Sequence, residues 1–277
     1  MYAAYTNRPV PGCTAMYTAQ CADVSAAYSR FREDACHMLH VPRTIINIIL
    51  HGQKRMYDGN AVHHLRAGDI FLIPRDTLLC SEILPGGFES LNLQLPDALV
   101  AGLLHAGPAP AGKARTRSLP LQMPRDWDRY TQTLLHCTQT STALDVAALE
   151  DALLALLRQQ PEATMVFSML RAAQPPALGL AIRAVGEHLE ELRHLEALAG
   201  RSCMSRASLQ RHFRQRYQVS PMAWLQEQRL GRAGFLLRTT RLPIREIAYS
   251  SGFEDLTHFY RAFRRQFGTT PARWRTT

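Results

Sequence analysis

A repeated pattern in the last third of the chain constrains its fold most strongly. Residues 199–203 and 248–252 share one spacing and lie about 49 residues apart, each at the end of a short helical pattern. A longer helical pattern follows in both copies and ends in a similar phrase, VSP at 219–221 and TTP at 269–271. The repeat therefore predicts two copies of one structural unit.

Each copy has the pattern of two helices joined by a tight turn. In the first, a short amphipathic helix from Leu195 precedes Ser205, a residue type that caps helix N-termini, and a second helix follows. Leu209 and Phe213 share one face of that second helix, while polar and arginine side chains occupy the other. The second copy repeats the apolar face with Phe259, Phe263 and Phe267. This is the design of a helix-turn-helix unit.

The stretch between the two units predicts a rigid connection. Residues 222–238 contain no proline, and apolar side chains recur along them. As a helix this segment would be roughly 26 Å long. Such a spacer would hold two recognition helices near the ~34 Å turn repeat of B-DNA, so that both enter successive major grooves on one face.

The positive charge of the chain lies in the same region. The sequence has 32 Lys+Arg and 23 Asp+Glu, a net charge of +9, and Lys54 and Lys113 are its only lysines. Residues 194–277 hold 15 basic and 5 acidic side chains, whereas residues 1–193 have a net charge of −1. This asymmetry predicts a C-terminal module that binds a polyanion, attached to a neutral module of another kind.

The second unit carries a specific resemblance to a known family. Residues 243–275 read PIREIAYSSGFEDLTHFYRAFRRQFGTTPARWR, and residues 194–275 as a whole resemble the DNA-binding domain of AraC/XylS-type bacterial transcription regulators. The resemblance implies two helix-turn-helix units that bind double-stranded promoter DNA, usually to activate transcription, with RNA polymerase as a further partner. Cupin-like β domains that sense an effector or mediate dimerisation often precede this domain.

By the same resemblance, bases are read from the outer face of the second helix in each unit. In the first unit the candidate DNA-binding residues are Arg206, Ala207, Gln210, Arg211 and Arg214. Arginine pairs bidentately with guanine and glutamine with adenine, while the small Ala207 contacts thymine methyls or reads less sequence.

In the second unit the candidates for base contact are Thr257, His258 and Arg261. Those for phosphate contact, which fixes register without reading sequence, are Arg264, Arg265 and Arg273. Glu254 and Asp255 are interpreted as capping and dipole partners at the helix start. For every arginine the alternative is a solvated surface charge.

The first part of the chain has a β pattern followed by a helical one. Short apolar runs separated by Gly, Asp and Pro turns predict an antiparallel barrel or sandwich over about 43–96. Residues 1–40 have weak periodicity and give no assignment, and residues 105–124, rich in Ala, Gly and Pro, are typical of a loop. Helical spacing of apolar residues returns over about 126–172.

The predicted fold class is therefore α+β, with two domains. Residues 1–174 form a regulatory or dimerisation domain, an antiparallel cupin-like β region followed by helices. Residues 178–277 form the all-α DNA-binding domain with two helix-turn-helix units. A proline pair at 175–176 separates them.

His51, His63 and His64 raise the alternative of a cupin metal site and hence of an enzyme. The usual ligand pattern, His-x-His with a following Glu and a distant His, is absent from the sequence, and no catalytic motif stands out. We expect no enzyme activity, metal or cofactor. The N-terminus lacks a secretory signal and no apolar run reaches the ~18–20 residues of a membrane span, so we expect a cytoplasmic protein without membrane contact.

Two hypotheses remain open for the control of DNA binding. In the first, the β domain binds a small effector, and an apolar one such as a fatty acid would suit Ile45, Ile46, Ile48 and Phe71. In the second, a regulatory protein captures the domain, and the chain acts as an activator or a repressor. Leucine stripes within 126–172 are core packing or, alternatively, the interface of a homodimer.

Overall fold

A computed structural model describes residues 2–5, 9–59, 61–109, 112–124, 127–174 and 176–276. The strands in this part of the chain are β1 (Ala3–Ala4), β2 (Cys13–Cys21), β3 (Val24–Phe31), β4 (Ala35–Val41), β5 (Thr44–His51), β6 (Gln53–Asp58), β7 (Ala61–Arg66), β8 (Ile70–Ile73), β9 (Thr77–Ile83), β10 (Phe88–Leu95) and β11 (Leu119–Leu121). A turn at Asp58-Gly59, one of the Gly and Asp turns expected between the short apolar runs, joins β6 to β7.

The helices in the same residues are α1 (Asp97–Ala106), α2 (Trp127–Thr140), α3 (Val146–Arg158), α4 (Ala163–Ala173), α5 (Gly179–His188), α6 (Leu195–Arg201), α7 (Arg206–Tyr217), α8 (Pro221–Thr239), α9 (Ile244–Ser250), α10 (Leu256–Phe267) and α11 (Pro271–Thr276). A short 3-10 helix, Pro176–Leu178, precedes α5; residue 175 of the predicted proline break lies outside the described residues. The α+β class, an N-terminal antiparallel β domain followed by a helical domain, is confirmed.

The strands form two sheets. The inner sheet has the order β1-β4-β9-β6-β7, and the outer sheet has the order β11-β8-β5-β10-β3-β2. Neighbouring strands are antiparallel except β1 and β4, which are parallel. The β region thus begins well before residue 43. The sequence analysis did not predict β3, because its small side chains, such as Ala26 and Ala27, are buried on both faces and show no alternation of polar and apolar residues.

The two sheets and the helices stack in layers. Along β5, Ile46 and Ile48 point into one core shared with α1–α4, while Ile45 and Ile49 point into a second core between the sheets. The inner sheet faces that second core on one side and the C-terminal helices on the other. Helices, outer sheet, inner sheet and DNA-binding domain therefore follow one another in space.

This layering corrects two expectations. The predicted apolar effector wall does not exist as one surface, because Ile46 and Ile48 face the helices whereas Ile45 and Phe71 face the space between the sheets. The leucine stripes of α2 and α3, with Leu134 and Leu153 among them, are buried in the core against the outer sheet. A homodimer would need a different surface.

The segment 105–124 is only partly a loop. Helix α1, which the sequence analysis did not predict, runs to Ala106, and β11 pairs with β8 at 119–121. Between them, the Thr116 amide donates to the Arg216 carbonyl at 2.8 Å and the Ser118 amide donates to Asp58 at 2.7 Å. This part of the chain therefore crosses the boundary between the β domain and the first helix-turn-helix unit.

The two helix-turn-helix units differ in how their cores are built. The first unit, α6 and α7, shares one core with α5 and with the inner sheet, where Phe213 and Trp224 lie in the same cluster as Tyr57 and Leu78. The second unit, α9 and α10, has a separate core centred on Phe259 and Phe263. Only the first unit is thus built into the regulatory domain through its apolar core.

The hairpin between β6 and β7 is in close contact with α8. A Cβ built on Gly231 would lie 2.4 Å from the backbone oxygen of Gly59, a distance that no real contact tolerates. Gly200, also helical, has no neighbouring atom within 4 Å of the equivalent position. Glycine at 231 is therefore required by the contact between the domains.

We expect Gly231→Ala to lower the stability of the protein, although alanine is intrinsically better in a helix than glycine by ~1 kcal/mol. The reason is the clash with the Gly59 backbone, which forces the hairpin away from α8. The matched control, Gly200→Ala, should raise stability by ~0.5–1 kcal/mol. Urea unfolding of both variants checks this, and equal stabilisation by the two substitutions would contradict the contact.

Candidate nucleic-acid interface

The turn geometry shows how closely the two units correspond. The Met204 amide donates to the Ala199 carbonyl at 3.1 Å, and the Phe253 amide donates to the Ala248 carbonyl at 3.0 Å. The preceding residue has a positive φ in both, 54° at Cys203 and 90° at Gly252. The second turn has one additional residue, so positions separated by 49 before the turn are separated by 50 after it.

Both second helices begin with a side-chain cap. Ser205 accepts a hydrogen bond from the Ser208 amide at 3.2 Å, as the sequence predicted. Asp255 accepts from the amides of Thr257 and His258 at 3.1 and 2.8 Å, which confirms its capping role. Glu254 does not cap the helix; it forms an ion pair with Arg193.

Arg273, the predicted phosphate contact nearest the C-terminus, is exposed on α11. The outer faces of α7 and α10 carry the other ten predicted DNA-binding residues at exposed positions: Arg206, Ala207, Gln210, Arg211, Arg214, Thr257, His258, Arg261, Arg264 and Arg265. The inner-face residues Leu209, Phe213, Phe259 and Phe263 are fully buried. With the offset of 50, Arg211 corresponds to Arg261 in the other unit, and the arginines three residues later also correspond. Each unit therefore presents two arginines in the same positions.

Few of the guanidinium groups on these outer faces form an ion pair with a carboxylate of the described residues. Arg206 donates to Glu196 at 2.6 Å, but both side chains are exposed and solvent screens this ion pair. Arg211 lies 3.5 Å from the Ser208 hydroxyl. Within the described residues, no ion pair joins a carboxylate to the following five: Arg211, Arg214, Arg261, Arg264 and Arg265. These cations remain available for phosphates or base edges.

Other arginines of the basic region serve the fold, which the sequence analysis missed. Arg229 in α8 donates to the carbonyls of Leu189 and Leu192 after α5, and burial lowers its pKa. The guanidinium of Arg238 lies 4.2 Å from the ring centre of Trp274 in α11. The charge excess of the C-terminal region is therefore divided between the fold and the outer faces.

Arg216, at the C-terminal end of α7, is buried at the contact with the β domain. Its side chain is 3% exposed and lies 3.7 Å from the carboxylate of Asp76, which is 4% exposed. It also donates to the carbonyls of Arg75 and Ala173. The sequence analysis left Arg216 unassigned. Its spacing of three from Phe213 and seven from Leu209 places it on the inner face of α7, but its partner lies 140 residues earlier in the chain.

Asp76 is the centre of this buried charge cluster. Besides Arg216 it contacts the Arg75 guanidinium at 3.3 Å and lies 3.5 Å from the His40 ring. Burial alone would raise the pKa of the Asp76 carboxyl, but His40 and the two arginines outweigh burial and hold it below its usual range. Asp76 is thus ionised in the folded protein and ties α7 to the β domain.

The structure gives the predicted histidines no common site. His63 packs edge-on against Phe71 with ring centres 4.8 Å apart, while His51 and His64 are exposed. Among the described residues, no group of three or more His, Cys, Asp or Glu side chains is placed to hold a metal ion. In the same residues, no helix is long and apolar enough to cross a membrane.

Comparison with known proteins agrees with this architecture. A family model described as "AraC-like ligand binding domain" matches residues 22–175, and one described as "Helix-turn-helix domain" matches residues 198–277. The HTH-type transcriptional regulator MtrA of Neisseria gonorrhoeae is 32% identical over 140 residues, which are 49% of this chain and 46% of MtrA. The Arabinose operon regulatory protein of Escherichia coli is 32% identical over 96 residues, 34% of this chain and 33% of the relative.

The chain thus spans less than half the length of either of these curated relatives. Among solved structures, ToxT from Vibrio cholerae O395 is similar over 91% of this chain and 97% of its own, with 14% identity and a TM-score of 0.47.

We expect Asp76→Asn to cost ~3–5 kcal/mol of stability near neutral pH, because it leaves Arg216 buried without its carboxylate. Asparagine tolerates the positive φ of 52° at this position. Since the folded pKa of Asp76 is lowered, its contribution is present above the ordinary aspartate pKa of ~3.9 and disappears as the pH falls through the lowered value. Urea unfolding curves of the variant and the wild type should therefore converge in acid.

The control is Asp97→Asn. Asp97 also pairs with Arg75, but its side chain is 57% exposed, so this variant should lose ~1 kcal/mol or less. Equal losses at neutral pH for the two variants would show that burial of the Asp76 cluster does not matter.

Proposed function

Because the chain belongs to the AraC family of DNA-binding transcription regulators, we propose that it binds promoter DNA through both helix-turn-helix units, under control of its N-terminal ligand-binding domain. The observation that carries this proposal is the duplicated outer face of α7 and α10. Both faces are exposed, and Arg211 and Arg261 occupy equivalent positions without a carboxylate partner among the described residues. A polyanion is the ligand that such a surface would take.

In the proposed complex, α7 and α10 enter successive major grooves. Helix α8 has 19 residues, which corresponds to roughly 28 Å, and it contacts both units. The bases would be read by Arg206, Ala207, Gln210, Arg211 and Arg214 in the first unit and by Thr257, His258 and Arg261 in the second. Arg264, Arg265 and Arg273 would hold phosphates and set the register.

We expect Arg211→Ala and Arg261→Ala each to weaken binding to the cognate promoter by ~1–3 kcal/mol, roughly 5- to 150-fold, without loss of the fold. Each removes a guanidinium that would pair with a base edge, and each lies on an exposed face. Arg66→Ala, at an exposed position of β7, is the control of equal charge. Gel-shift titration on the region beside the gene, located by footprinting, measures the change; promoter affinity equal to that of the control would refute the assignment.

The phosphate contacts have a different signature. The logarithm of the binding constant should fall steeply with the logarithm of salt concentration, by ~0.9 for each phosphate neutralised. Arg264→Ala combined with Arg265→Ala should reduce that slope by ~1.8 and weaken binding to cognate and unrelated DNA alike. A loss restricted to the cognate sequence would instead place these two arginines on bases.

We propose that the chain acts as an activator in the cytoplasm, has no enzyme activity, and contacts RNA polymerase at the promoter. In vitro transcription from the footprinted promoter tests this: addition of the protein should raise transcript yield with purified RNA polymerase. Lower yield at saturating protein would assign repression instead.

The control of DNA binding would pass through the inner sheet. Supporting this, the first unit shares its core with the inner sheet, and Arg216 of α7 is paired with Asp76 of the β domain. A small effector is favoured over a regulatory protein because a cavity lined by polar and apolar side chains lies between the two sheets. Control by a protein partner would instead give co-purification of that partner and no stabilisation by small molecules.

A further inference from the structure

One of the two lysines of the chain is buried inside the β domain. Lys54 lies on β6, is 8% exposed, and lines a cavity of about 70 Å³ between the inner and outer sheets. Its ammonium nitrogen lies 5.3 Å from the ring centre of Phe88. Among the described residues, no carboxylate forms an ion pair with it.

An unpaired ammonium in such a place is energetically costly. Burial without a counter-charge disfavours the charged form of a lysine, and here it lowers the pKa of Lys54 to about 7. A methionine of similar length would fill the same space without that cost. The described residues give this ammonium the face of the Phe88 ring but no counter-charge.

The walls of the cavity match one kind of ligand. Ser29, Ser81, Ser90 and Asn92 supply hydroxyl and amide groups, and Phe31 and Phe88 supply apolar surface. Ser29 and Ser90 are hydrogen-bonded to each other at 3.1 Å, and Asn92 accepts from Asn47 at 2.7 Å, so this polar wall is already ordered. One cation, a few polar groups and an apolar remainder suit a small amphiphilic monoanion.

We propose that this cavity binds a small monocarboxylate, with the carboxylate on the Lys54 ammonium and a short apolar tail against Phe31 and Phe88. The proposal rests on the proposed function, since it names the chemical class of the effector of that regulator. A tetrahedral dianion such as phosphate would call for more than one cation, and an uncharged sugar, although its hydroxyls can accept hydrogen bonds from an ammonium, would not supply the missing counter-charge.

The other titratable groups of the cavity leave Lys54 as the one that changes charge at neutral pH. Burial raises the pKa of Tyr5 and of Cys13, and burial lowers the pKa of His37, whose Nε2 donates to the Pro11 carbonyl at 2.7 Å. All three are uncharged near pH 7 and above. Anion binding should therefore weaken as the pH rises past the pKa of Lys54.

The site is close to the contact with the DNA-binding domain. Tyr57 lies three residues after Lys54 on the same strand and packs against Phe235 of α8 with ring centres 5.5 Å apart. Gly59, at the end of β6, presses on α8 at Gly231. A ligand bound to Lys54 would therefore act on β6, which contacts α8, the helix between the two DNA-binding units.

The experiment compares carboxylates with amides of the same shape on the full chain. Sodium acetate and sodium propionate should raise the Tm with a saturable dose dependence at pH 6.5, with sodium chloride keeping the ionic strength constant. Acetamide and propionamide should be at least tenfold weaker. Lys54→Met should abolish the carboxylate effect and raise the Tm of the free protein, whereas the exposed Lys113→Met should change neither.

A second measurement observes the lysine directly. With only two lysines in the chain, ¹³C-lysine labelling gives two side-chain signals, and Lys54→Met assigns them. The Lys54 signal should titrate near pH 7 in the free protein and at higher pH with propionate. Calorimetric affinity for propionate should fall by up to tenfold per pH unit above 7.

The outcomes separate this site from the proposed function. If the carboxylates and amides act equally, or if Lys54→Met keeps the carboxylate effect, the site is refuted, while promoter binding by the wild type still supports the regulator. If the carboxylates bind through Lys54 but promoter affinity and transcription do not respond, the site stands and its role as effector site fails. A Lys54 signal that titrates near 10.5 would also refute the buried cationic site.

Discussion

The structure depends on one sheet with two buried faces. The inner sheet contributes Leu79 and Ile83 to the space between the sheets, and its other face contributes Tyr57 and Leu78 to the core of the first helix-turn-helix unit. An antiparallel sheet ordinarily leaves one face to water, and here that face is covered by the DNA-binding domain. The β domain and the first unit consequently share a hydrophobic core.

The two DNA-binding units therefore stand in different relations to the regulatory domain. The first is attached through its core and through Arg216, whereas the second keeps a core of its own around Phe259 and Phe263. Helix α8 connects the two units. Helix α11 packs on α8, where the Trp274 indole N–H donates to the Gly234 carbonyl at 2.9 Å. A shift of the inner sheet would reach the first unit directly and the second chiefly along α8.

The C-terminal fold was largely predictable because its signals are local. Leu209 and Phe213 define an inner face within one helix, and Ser205 and Asp255 cap helices within three residues. The β domain was predicted only where strands are apolar and bounded by turns; β6 was missed because Lys54 and Arg55 give it a polar composition. The extra residue in the second turn was located by the bounds of the helices on either side of it.

The sequence did not show which individual charged side chains are buried and which are exposed. Arg211 and Arg216 look alike in sequence, yet one is exposed and the other is buried against Asp76. Helical spacing places Arg216 on the same face as Leu209 and Phe213, but its ion pair with Asp76 joins segments distant in the chain, which no periodicity encodes. The same holds for Lys54, whose surroundings come from both sheets. The candidate DNA-binding face was predictable because exposure is the default for arginine, whereas the exceptions depend on the fold.

Comparison of α7 with α10 shows how a helix of twelve residues can present three separate surfaces: one to the β domain, one to the core of its own unit and one to solvent, where the proposed DNA would bind. With the offset of 50, Arg216 corresponds to Gln266, whose side-chain amide lies 3.5 Å from the Gly59 carbonyl, so this position contacts the β domain in both units. Arg211 and Arg261 lie on the exposed side, and Phe213 and Phe263 lie in the core. Because these directions are separate on the helix, changes on the outer face would alter DNA recognition without loosening the contact with the β domain. Conversely, the regulatory domain contacts both recognition helices at positions that the proposed DNA complex leaves free.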